Sequence, residues 1–164
     1  MKHVRWSLVA AAFLLGAPTL AADRAFDQRT WSVGYEAEDA EQHITEYVIQ
    51  PETVESWSEL VTNQVIFDPA HQIEIAPLAS RIKAGFGPDC RKLKWKTLEK
   101  TKSSILYEWS HVGCSQYPPQ YEVSLLSACG EGVCRWAYAT KLVPVDDAKR
   151  AAWRQIIRSL GPNQ

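Results

Sequence analysis

Four cysteines, Cys90, Cys114, Cys129 and Cys134, lie in the second half of this 164-residue chain and restrict its fold more than any other feature. An even count in an exported protein reads as two disulfides, and four cysteines allow three connectivities. Hairpin geometry selects one of them. The stretch Gly130 to Gly132 lies between Cys129 and Cys134, and a hairpin turning there brings those two cysteines face to face. A second polar turn, Lys100 to Ser103, is centred near Lys102, midway between Cys90 and Cys114. Strands folded back about that centre meet at the open end of the hairpin, where cross-strand Cβ atoms come within disulfide reach. A metal or redox role is the weaker alternative, because the cysteines form no CxxC pair.

The disulfide reading depends on export, and the N-terminus has the pattern of an export signal. Lys2 and Arg5 precede an apolar run from Trp6 to Leu15, followed by Gly16, Pro18 and small residues ending in Ala21 and Ala22. A basic start, a short apolar centre and a small-residue exit describe a cleaved signal peptide over residues 1–22, leaving residues 23–164 as one domain. The apolar run is shorter than the roughly 20 residues that span a bilayer, so no stable span is expected after cleavage. Losing Lys2 and Arg5 takes 18 basic residues to 16 against 19 acidic ones, a formal charge near −3. Such a chain builds no field for nucleic acid. The one locally basic segment, Arg91 to Lys102, reads as the solvated face of a strand pair.

Period-2 patterning predicts strands over Thr30 to Glu36, with Trp31, Val33 and Tyr35 on one face, and over His43 to Gln50. After Pro51, the spacing of Val54, Trp57, Leu60 and Val61 predicts a short helix capped by Thr53. Gln64 to Phe67 reads as a short strand. A helix from Ile73 to Ala84 would turn Ile75, Leu78, Ala79 and Ile82 inward, with Pro77 tolerated in its first turn. Two further hairpins pair Leu93–Glu99 with Ser104–Val112 and Tyr121–Cys129 with Val133–Leu142. A last helix, capped by Asp146 or Asp147, carries a stripe of Ala148, Ala152, Ile156 and Leu160 with Trp153 and Ile157 beside it. These elements give an α+β class: a single domain with an antiparallel sheet covered by helices.

Chemistry-bearing residues are sparse. His71 and Glu74 form an H-x-x-E with Asp68 nearby, but the spacing lacks the second histidine of HExxH, and no GxSxG marks a nucleophile. Among the aromatics, Trp57, Trp136 and Trp153 fall on inward faces. Trp95 and Trp109 are cross-strand neighbours in the Cys90–Cys114 hairpin and are the candidate binding residues, as an aromatic surface or as core.

Several segments, ITEYVIQPETVESWSELVTNQ (Ile44 to Gln64), SSILYEWSHVGC (Ser103 to Cys114), PPQYEVSLL (Pro118 to Leu126) and RWAYATK (Arg135 to Lys141), resemble a family of uncharacterised exported bacterial proteins. More distantly, a strand pair followed by a helix bearing such a tryptophan is similar to the Mog1/PsbP-like group, which implies an antiparallel sheet between helices. The resemblance carries no catalytic residues. The expectation is a periplasmic or secreted, non-enzymatic binding or accessory protein without cofactor or metal, acting on an envelope protein or a small ligand. A small hydrolase or metal-dependent enzyme using His71, Glu74 and Asp68 is the alternative, and a purely structural envelope component a third.

Overall fold

Alternating β-branched and aromatic residues make strand, not helix, the main regular structure of the described residues. A computed structural model describes residues 22–90, 92–114 and 117–161. The expected signal peptide, residues 1–22, lies outside the described residues except for Ala22. The elements run β1 (Arg24–Phe26), β2 (Arg29–Glu38), β3 (Gln42–Val48), β4 (Glu59–Phe67), α1 (Ile75–Ala84), β5 (Lys94–Lys100), β6 (Ser104–His111), β7 (Gln120–Cys129), β8 (Gly132–Thr140) and α2 (Asp147–Ser159). All eight strands belong to one antiparallel sheet in the order β1-β2-β3-β4-β8-β7-β6-β5. Two four-stranded meanders are therefore joined at β4 and β8, which pair over nine residues from Glu59↔Thr140 to Phe67↔Gly132.

Neighbouring residues of a strand point to opposite faces, and the two helices use opposite faces. Trp153 and Ile157 of α2 pack with Val61, Val123, Leu125, Trp136 and Tyr138. Ile75 and Ala79 of α1 pack with Ile105, Tyr107, Leu126 and Val133. On the α2 side, Tyr138 stacks on Trp153 at 3.7 Å between ring centroids, and Trp31 meets the same indole edge-on at 5.7 Å. Asp146 caps α2 by accepting a 2.8 Å bond from the Lys149 amide, which satisfies a donor with no partner within the helix.

The expected α+β, Mog1/PsbP-like arrangement is not what forms. The fold is dominated by the eight-stranded sheet, with only two helices among the described residues. The clearest departure is the segment Val54 to Val61, where no helix exists. Residues 51–58 make turns around a Thr53↔Ser56 bridge, and Leu60 and Val61 already belong to β4. A two-turn helix nucleates poorly. The alternative, a strand hydrogen-bonded to β3 on one side and β8 on the other, satisfies the backbone of β4 through two ladders. The expected short strand at Gln64 to Phe67 is the end of this longer one.

Other departures are smaller. In α2 the centre of the buried stripe is Trp153 and Ile157, while Ala148 and Ala152 are exposed. Trp57 is half-buried in the loop before β4, with the Lys141 ammonium 3.8 Å above its ring. Cys90 pairs with Cys114 and Cys129 with Cys134. The second pair is diagonal, because Cys129 lies opposite Gly132 and Cys134 opposite Ser127. Both side chains still share one face, at a Cα–Cα distance of 5.8 Å. Disulfides persist where thiols are not kept reduced, so the pair marks an oxidising, extracellular-type environment. No described helix is long and apolar enough to cross a membrane.

The sheet ends at β1, three residues long, and at β5. The latter carries the exposed Lys94, Lys96 and Lys100 and a bulge between Thr97 and Glu99.

Candidate functional site

The α2 helix covers one half of its face of the sheet, packing on β7 and β8. Beyond it, β1 to β4 leave an open concavity of about 600 Å³, within the roughly 300–1,000 Å³ range of small-molecule sites. Tyr47, Thr45 and Asn63 form its floor, with Thr45 opposite Asn63 and Tyr47 opposite Val33 across the ladders.

A bulge sets its polarity. Ser32 and Val33 pair with Val48 and Tyr47, then Tyr35 pairs with Glu46, so Gly34 is an extra residue in β2. Without it, Tyr35 would share a face with Trp31 and Val33, as simple alternation predicts. The bulge reverses the phase. Tyr35 turns to the opposite face at 46% exposure, and Glu36 and Glu38 turn into the concavity. Glycine fits here because a Cβ would lie 3.0 Å from methyl carbons of both Val48 and Val54.

Arg24 of β1 supplies the opposite charge. Its guanidinium lies 5.8 Å from the centroid of the Tyr47 ring and 5.4 Å from that of Trp136. Among the described residues it forms no ion pair, so its fork of donors is held by aromatic faces. Across the concavity, Glu36 contacts His43 Nε2 at 3.1 Å, while Glu38 forms no ion pair among the described residues. Burial pushes the Tyr47 hydroxyl above its ordinary pKa, with Arg24 pulling it down and Glu36 pushing it up. The site thus has a cationic end, an anionic end and a floor of hydroxyl and amide groups.

The expected site residues lie elsewhere. Trp95 and Trp109 are opposite each other on β5 and β6. Trp109 is buried beneath α1, stacks on His111 and donates from Nε1 to Glu122 at 3.1 Å. Trp95 is half-buried and stacks on Tyr107 at 4.4 Å. Both serve the core under α1 rather than a shared open surface.

Asp68 accepts a 2.6 Å bond from the Ile73 amide, which holds its carboxyl below the usual range. It braces the turn into α1, while His71 and Glu74 are exposed on that turn. Arg135 and Glu122 form a partly buried ion pair at 2.8 Å on the α1 face. The same Glu122 oxygen also accepts from Ser124 and Trp109, which marks a structural network. Compared with known protein families, curated proteins and solved structures, the chain matches none.

Proposed function

We propose that this is an exported, periplasmic or secreted binding or accessory protein without catalytic activity. Its ligand is a small molecule carrying an anionic group, held against the open half of the sheet. The observation that carries this reading is Arg24, a guanidinium kept on two aromatic rings at the mouth of a concavity and left without a carboxylate partner among the described residues. A ligand carboxylate or phosphate completes such a fork in bidentate fashion. Glu36 and Glu38 at the far end favour a second, cationic group, so a zwitterion suits the site better than a simple anion. The resemblance to exported bacterial proteins agrees with the compartment.

The test is thermal stability measured against a panel of amino acids, short peptides and anionic metabolites. A binder present at a hundred times its Kd stabilises by about 2.7 kcal/mol, a rise of several degrees. The rise should vanish in Arg24→Ala, survive in part in Arg24→Lys, and be unchanged in Trp95→Ala. A stabilising ligand whose effect is the same in Arg24→Ala would place binding elsewhere.

A further inference from the structure

Next to the Cys90–Cys114 disulfide lies the buried imidazole of His111. One ligand atom each from Cys90, His111 and Cys114 lies within 4.8 Å of the others, and all three residues are buried. The ring of His111 is fixed on three sides. Trp109 stacks on it at 5.5 Å and only 5° from parallel, Phe86 meets it edge-on at 6.3 Å, and the Gly113 amide donates to Nδ1 at 3.1 Å. With Nδ1 accepting, the neutral ring carries its proton on Nε2, so ligation through either nitrogen gives up the Gly113 bond. Val112 and Gly113 beside it are exposed, so the cluster is buried yet one residue from solvent.

We propose that Cys90, Cys114 and His111 form a redox-gated site for a soft divalent cation of the zinc type, closed in the disulfide form and open in the dithiol form. The donor set has two thiolates and one imidazole, and three protein ligands leave a fourth position for water or an external ligand. Opening requires two electrons. An external dithiol exchanges with the Cys90–Cys114 bond, its own sulfurs become a disulfide, and Cys90 and Cys114 are left as two thiols. The incoming cation then displaces both thiol protons and takes a ring nitrogen of neutral His111, at Nδ1 in place of the Gly113 amide or at Nε2 once its proton has moved to Nδ1. The Cys129–Cys134 pair has no such partner, since the Cys90–His111–Cys114 group is the only cluster of three possible ligands that includes cysteine among the described residues.

Cobalt(II) is the probe, because thiolate ligation gives it a charge-transfer absorption. The C129S/C134S variant, which keeps only the relevant pair, is reduced with a dithiol that is then removed under argon. Its fold is followed by far-ultraviolet circular dichroism. The expected result is one equivalent of cobalt bound with thiolate charge transfer, no binding before reduction, and affinity at least about tenfold weaker after His111→Ala. Three results would overturn the proposal. One is a folded, reduced protein that binds no cobalt, and another is undiminished binding in His111→Ala. The third is loss of the fold on reduction that cobalt does not restore, which leaves the disulfide as a brace alone.

Discussion

Glu59 at the start of β4 ties four elements together through one buried carboxylate. Arg29 of β2 donates at 2.7 Å, Lys149 of α2 approaches to 2.6 Å, and the Tyr138 hydroxyl of β8 donates at 2.5 Å. Burial alone would raise its pKa, but these three donors outweigh it and hold the carboxyl down to about 2. A carboxyl depressed in the folded state stabilises above its unfolded pKa of 4.5, and that contribution disappears as pH falls toward 2. The gap corresponds to roughly 3 kcal/mol. Arg29 and Lys149 remain partly exposed and can be hydrated, so Glu59→Gln should cost somewhat less, about 2 kcal/mol at pH 7. Denaturant unfolding at several pH values checks this: the variant and parent curves should converge between pH 4.5 and 2. A constant difference across that range would mean that the charge of Glu59 is not what stabilises. None of this was legible in the sequence. The Tyr138 contact spans 79 positions, and Glu59 itself lies in a stretch whose spacing reads as a helix.

Hairpins were the elements easiest to read, because a tight turn and its flanking alternation are local. The two tips at Lys100–Ser103 and Gly130–Gly132 placed all four cysteines in their observed pairs. The β2 bulge escaped, since an extra residue is defined by its partner strand and leaves only a glycine as its local sign. The false helix at Val54–Val61 failed for a related reason: apolar residues three and four apart also fit a turn followed by a strand buried on both faces. The pairs also differ in energetic weight. Cys90–Cys114 spans a sequence separation of 24 and Cys129–Cys134 one of 5. In the chain-entropy account the longer loop contributes roughly 3 kcal/mol and the shorter one less. Replacing Cys90 and Cys114 together by Ser should therefore lower the urea midpoint more than replacing Cys129 and Cys134 together. The opposite order would show that the short tip is held by its disulfide rather than by β-pairing.

Across the molecule, stability should grade from the centre of the sheet outward. β4 and β8 are paired on both sides and lie between the two helix-covered cores, whereas β1 has three residues and a single neighbour. Amide exchange followed by mass spectrometry should find β4, β7 and β8 slowest and β1 fastest. Exchange from β8 as early as from β1 would contradict the strand order. That order is not legible in the sequence, because the joining of two meanders at β4 and β8 is a non-local choice that alternation within each strand does not record. An open sheet also has two free margins, and a row of unpaired amides and carbonyls invites another chain to add a strand. At β5 the three exposed lysines and the bulge between Thr97 and Glu99 work against such addition, by mutual repulsion and by breaking the row of regular hydrogen bonds. Replacing Lys94, Lys96 and Lys100 with Thr should allow the β5 margins of two molecules to join. Light scattering at rising concentration should then show dimers and larger species. A variant that scatters like the parent would mean that the lysines are not what opposes strand addition.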